Sequence, residues 1–246
     1  GPFDLAYTLS ASNYRGQPQV QMEWLHARPV ERQKPVEIQS PGRTYQIEDL
    51  RDATDPEIAL NDVMQRHKAA VWAEGSEAKD KGSGRQQLLP AAELVIFTNP
   101  PGPAELAAAL ATVSPEKVTL MSSPPVDDTP EAFLRRLAGL AAFVIHRREG
   151  RTDLASLAAA TAQRETTVRA GLDWLAARGD ITCQFSGANQ VQIASGGEAD
   201  TAAGLAAMRR VVILLDETVA YRAYYRRADA NWLLSHAAPD ASKSRR

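Results

Sequence analysis

The chain has 246 residues, 44% of them hydrophobic and 24% charged, with a formal net charge of −2. That balance excludes a wholly disordered chain, and the near-neutral charge argues against a uniformly basic nucleic-acid binder. The single cysteine, Cys183, excludes an intrachain disulfide and fits a reducing, cytoplasmic compartment, and no apolar run approaches the roughly 20 residues needed to span a bilayer.

Gly1-Pro2 has the form of a remnant left by a cleaved expression tag. Phe3, Leu5, Tyr7 and Leu9 then alternate with polar residues, and Val20, Met22 and Trp24 repeat the pattern, which predicts two strands. Between them Asn13-Tyr14-Arg15-Gly16 supplies the residue types that adopt positive φ in a hairpin turn. A lone hairpin is marginal in water, so residues 1–29 are expected to close a larger sheet whose other strands lie upstream. Pro29 to Pro41 is polar and proline-punctuated, the composition of a linker.

Residues 30–128 read as a small α/β domain with a parallel sheet. Asp55-Pro56 caps and opens a helix; apolar runs at Ala70–Ala73, Leu94–Thr98 and Val118–Ser122 predict strands, and Pro103–Val113 a second helix. The stretch Ala73–Arg85, rich in Gly, Ser and Lys, is expected to be an exposed loop. Residues 129–200 have the outline of a winged helix. A helix begins at Thr129-Pro130-Glu131, then "TDLASLAAAT", a turn at Gln163-Arg164, "ETTVRAGLDWLAARG" closed by Gly179, and two strands about Ser186–Asn189. Residues 201–236 are expected to form one long helix, with Leu205, Met208, Val212, Leu215 and Val219 at heptad spacing and a wide apolar face. A basic tail, 237–246, ends the chain. The expected class is therefore α/β plus α.

Catalytic signatures are weak. His26, His67, His146 and His236 are scattered through different elements, without the pairing that a metal site needs. Glu77-Ala78-Lys79 matches the Glu-x-Lys part of a restriction-type nuclease site, with Asp62 as a possible upstream acid, but its Gly and Ser flanks do not predict the strand such a site requires. Neither phosphate-binding glycine motif is present. No catalytic residue and no metal ligand is assigned within this chain.

Binding residues are better represented. In the winged-helix outline, Thr166, Ala170, Asp173 and Ala177 occupy the outward face of the second helix with Arg169 at its margin. The segment "AYRAYYRRADANW" interleaves Tyr221, Tyr224 and Tyr225 with Arg222, Arg226 and Arg227, residue types that serve both base stacking with phosphate contact and protein hot spots. Tyr14 and Arg15 at the hairpin tip are a further candidate contact for single-stranded nucleic acid.

The stretch "LAYTLSASNYRGQPQVQMEWLHARP" resembles the end of the OB-fold domain of bacterial RecJ, the single-strand-specific 5′ to 3′ exonuclease family with DHH catalytic motifs. Residues 30–246 resemble the extension carried by RecJ proteins of the Deinococcus type. The resemblance implies that the Asp and His cluster holding Mn²⁺ or Mg²⁺ belongs to catalytic domains upstream, and that no cofactor is held here. It further implies an accessory role in DNA end resection, recombination and repair. A HerA-like translocase, another helicase or a single-strand binding protein is the expected partner. The alternative expectation is an extension of the DNA track through Arg15, Arg169, Arg222, Arg226 and Arg227.

Overall fold

The computed structural model describes residues 3–14, 17–29, 44–66, 68–75, 78, 80–123, 128–187 and 189–237. The chain divides into two compact units, Gly1–Ser40 and Pro41–Arg246.

In the first unit, β1 (Phe3–Tyr14) pairs antiparallel with β2 (Gln17–Pro29). Both strands run well beyond the predicted limits, and Tyr14 pairs directly with Gln17, so the connection is two residues long rather than four. A register shift at Ala6/Tyr7 marks a bulge, which bends and twists such a ribbon. The linker expected over Pro29–Pro41 lies, beyond Pro29, outside the described residues.

The second unit contains a four-stranded parallel sheet of β3 (Gln46–Leu50), β4 (Ala70–Trp72), β5 (Glu93–Thr98) and β6 (Lys117–Ser123), ordered β3-β6-β5-β4. Helices α1 (Pro56–Arg66) and α2 (Pro103–Val113) connect its strands. All six residues of β5 are buried, as a central parallel strand covered on both faces requires. Leu94 and Ile96 join Trp72, Leu106, Leu110 and Leu120 on one side, whereas Val95 and Phe97 join Leu60, Val63 and Met121 on the other. Strand β3 has little apolar signal. It forms because it is an edge, where polar residues are tolerated, and its Glu48 accepts from Lys117 (2.6 Å) and Arg66 (3.0 Å).

The order helix, turn, helix, hairpin is present downstream: α3 (Pro130–Arg147), β7 (Arg151–Asp153), α4 (Leu154–Thr161), α5 (Glu165–Ala177), β8 (Ile181–Ser186) and β9 (Gln190–Ser195). The three strands make an antiparallel sheet ordered β7-β9-β8. Thr129 and Asp153 cap their helices by accepting from the amides of Ala132 and Ser156. At Gly171 α5 crosses α3 so closely that a Cβ would stand 2.5 Å from Leu137 Cδ2.

The single C-terminal helix expected over 201–236 is two. Helix α6 (Thr201–Arg227) ends at Ala228, which is extended, and Asp229 starts α7 (Ala230–Ala237) by accepting from the amide of Trp232 at 2.9 Å. The chain then folds back, and Leu233, Leu234 and Ala237 enter the core on the Leu94 side of the sheet. The buried stripe of α6 is Val211, Leu215, Thr218, Arg222 and Tyr225, at alternating intervals of four and three. It is rotated from the expected seam, leaving Leu205, Val212 and Val219 exposed. Among the described residues no helix is long and apolar enough to cross a membrane.

Candidate functional site

Open parallel sheets characteristically hold ligands beyond the carboxyl ends of their strands. In this chain that crevice receives Glu74 after β4, Asn99 to Gly102 after β5, and Asp128 downstream of β6. The turn between α4 and α5, Ala162-Gln163-Arg164, is seated against the same place. Arg85 donates to Glu74 Oε1 through Nε at 2.7 Å and to the Gln163 carbonyl at 3.0 Å. Arg222, from α6, donates to the Asn99 carbonyl at 3.3 Å, to the Asp128 carboxylate and to the Ala162 carbonyl. Gln163 Nε2 donates to the other Asp128 oxygen at 2.9 Å.

Glycines permit this approach. The Gly75 amide donates to the Ala159 carbonyl at 3.0 Å, and a Cβ on Gly102 would lie 2.6 Å from Glu105 Oε2 and 3.2 Å from Arg164 Cδ. The result is a crevice filled by the chain's own side chains.

Glu74 and Arg222 are each 5% exposed, Asn99 is 1% and Gln163 fully buried. Burial pulls the Arg222 guanidinium below its ordinary pKa, with Asp128 opposing that shift. Burial also acts to lower Arg85, but its bond and charge interaction with Glu74 outweigh it and hold the group above its ordinary value. Each arginine is paired with a carboxylate, Arg85 with Glu74 and Arg222 with Asp128. A carboxylate committed in this way is neither a free general base nor an open metal ligand. Among the described residues no group of three or more His, Cys, Asp or Glu could hold a metal ion. Asn99 Oδ1 and Gln163 Oε1 are buried and have no hydrogen-bond partner among the described residues, so some polar capacity of the crevice is unspent there.

None of these partners stands out in the sequence, because Arg222 lies 94 residues from Asp128 and 123 from Asn99. The segment Ala73–Arg85, expected to be exposed, instead buries Ala73, Glu74 and Ala78 and commits Arg85 to the crevice. Glu77 and Lys79 lie outside the described residues, as does His67, and Asp62 is exposed on α1.

The residues expected to form one surface near the end of α6 separate by helical phase. Arg222 is buried in the crevice, and Tyr225 is fully buried, its hydroxyl donating to the Met121 carbonyl at 3.1 Å and its ring lying 5.8 Å from the Arg51 guanidinium carbon. Both are therefore internal, which corrects their expected place on a binding face. Tyr221 is half-buried, and burial pushes its phenol well above the usual tyrosine range. Tyr224, Arg226 and Arg227 are exposed, with the Tyr224 ring 6.1 Å from that of Tyr221. Tyr14 is the last residue of β1; its side chain, and the whole of Arg15, lie outside the described residues.

Arg169 is exposed and its guanidinium lies 4.0 Å from the Phe185 ring centroid. Ala170, expected beside it on the outward face of α5, is buried because α6 lies along that helix. Ala170 packs in one core with Val211 and Leu215, and Arg164 donates to the Leu214 carbonyl (2.7 Å) and to Glu217 (2.8 Å). Of α5, Thr166, Arg169 and Asp173 remain exposed, Asp173 in part. Burial raises the Asp173 carboxyl, against the nearby charges of Arg169 and Arg210.

The same surroundings govern Cys183, whose thiol is pushed up to about 11 by burial and by Asp173. The thiolate is the reactive form, so at pH 8 Cys183 is expected to react with an aromatic disulfide reagent at least tenfold more slowly in the native protein than after denaturation (about 100-fold from the thiolate fraction alone). Equal rates would show that the site does not exclude water as the structure indicates.

A groove of about 420 Å³ runs between α3, α5 and the N-terminal half of α6, floored by Leu134, Ala138, Trp174 and Met208 and edged by Arg135 and Arg178. No family model matches this chain, and no curated protein and no solved structure is detectably similar to it.

Proposed function

We propose that this chain is a non-catalytic, partner-docking part of a RecJ-like 5′ to 3′ single-stranded-DNA exonuclease, acting in end resection, recombination and repair. The β1–β2 ribbon would be the end of an OB-fold, and α3 to β9 a winged-helix unit turned to structural use. The observation that carries this reading is the filled crevice at the strand ends. The position from which such a sheet would ordinarily bind a ligand is occupied by Arg85, Gln163 and Arg222. The face of α5 that would enter a DNA groove is narrowed by the packing of α6 against Ala170. What remains for recognition is outer surface.

The partner would be a HerA-like translocase, a helicase or a single-strand binding protein, and the Mn²⁺ or Mg²⁺ chemistry would belong to the parent's catalytic domains. Calorimetric titration of the 246-residue chain against each candidate, after nuclease treatment of both samples, tests the reading. A saturable heat with one of them is the expected result; no association with any, at concentrations well above micromolar, would overturn it.

A second reading draws on the exposed Tyr224, Arg226 and Arg227, which could extend the DNA track. It requires affinity for labelled single strands that falls steeply with salt, because phosphate contacts release counterions. Anisotropy that stays flat as protein is added would remove it.

A further inference from the structure

The outward face of α6 bears an apolar seam that no other element covers among the described residues of its unit. Leu205 is 60% exposed, Val212 36%, Ile213 59% and Val219 47%. Leu205, Arg209, Val212, Asp216, Val219 and Ala223 follow one another at intervals of four, three, four, three and four, the spacing with which one helix seats against another. This is a second seam, separate from the buried stripe of the same helix. Isolated apolar residues on a surface need no explanation, but apolar residues recurring along one face from Leu205 to Val219, interrupted by Arg209 and Asp216, do.

The two charges in the seam indicate what covers it. Arg209 and Asp216 are both exposed, and each stands three and a half residues from the midpoint between Val212 and Ile213. We propose that α6 pairs antiparallel with α6 of a second copy of this chain, about a two-fold axis passing near Val212 and Ile213. In that arrangement Arg209 of each copy meets Asp216 of the other, so the ion pair forms twice, once on each side of the axis. Leu205 comes level with Ala220 and Val219 with Ala206, large against small, and Val212 with Ile213 at the axis. A two-fold interface must be complementary to itself, and this face is. Parallel pairing would set Arg209 against Arg209 and Asp216 against Asp216, placing like charges in an apolar seam. The pairing uses a face distinct from the groove beside Trp174 and Met208, and it stands or falls independently of the proposed docking function.

The test is the mass in solution of the intact 246-residue chain, measured by sedimentation equilibrium over a concentration series. The expected result is the mass of two chains. Arg209→Asp alone and Asp216→Arg alone should each halve it, and the double variant Arg209→Asp/Asp216→Arg should restore it. All the altered side chains are exposed, and unchanged circular dichroism and thermal midpoint confirm that each variant folds. A monomer at every concentration would overturn the proposal. A dimer that ignores the single charge reversals, or one that the double variant fails to rescue, would overturn it equally.

Discussion

Arg222→Ala is expected to destabilise the Pro41–Arg246 unit by about 3–5 kcal/mol, the range for removing one partner of a buried ion pair. The substitution leaves the largely buried Asp128 carboxylate with Gln163 as its remaining donor among the described residues, and takes the Arg222 donors from the Asn99 and Ala162 carbonyls. For a unit of this size each kcal/mol moves the thermal midpoint by about 2–4 °C, so a fall of roughly 10 °C is anticipated. Thermal unfolding followed by circular dichroism measures it. Arg222→Met/Asp128→Asn should recover part of the loss, because it removes the charge as well as its partner. A midpoint unchanged by Arg222→Ala would mean that the crevice is not closed by this side chain. Loss of DNA or partner binding in an Arg222 variant must accordingly be read against its stability.

Tyr225→Ala is expected to cost about 3–5 kcal/mol, the range for truncating a buried aromatic, since the ring is fully enclosed among Trp72, Leu120 and Leu233. Tyr225→Phe isolates the hydroxyl and should cost about 1–2 kcal/mol through the lost bond to the Met121 carbonyl. Tyr224→Ala, one position earlier on the exposed side, should change stability by less than about 0.5 kcal/mol. Chemical denaturation of the three variants checks the series. Equal effects at positions 224 and 225 would contradict the helical phase on which the separation of internal from external residues rests.

That phase also explains what could be read from the residues in advance and what could not. The interleaved Tyr and Arg from 221 to 227 are conspicuous in the sequence, but composition does not say which way a helix faces. A rotation of one position moves Val212 and Val219 outward and brings Val211 and Thr218 inward. Apolar residues on nearly every side of α6 left that rotation undetermined by local pattern. Only contact with α5 and the sheet selects it. The break at Ala228 was similarly concealed, because Asp229 is a capping residue whose role depends on the chain turning there.

Elements whose signals are local were legible. The Asp55 and Thr129 caps, the buried run of β5, the α2 helix and the glycine stop after α5 each depend on interactions within a few residues, which the order of side chains determines directly. Strand β3 and the ionic crevice depend on groups brought together from distant positions, Glu48 with Lys117, Glu74 with Arg85, and Asp128 with Arg222. A charged residue in a sequence is equally consistent with a solvated surface and with a buried pair. The sequence by itself therefore determined the central strands of the parallel sheet, the principal helices and the starts at Asp55 and Thr129, but not β3, β7 or the break at Ala228. The tertiary structure alone decided which charges are enclosed and which face of α6 is left open, because burial is a property of the packed chain and not of any segment within it.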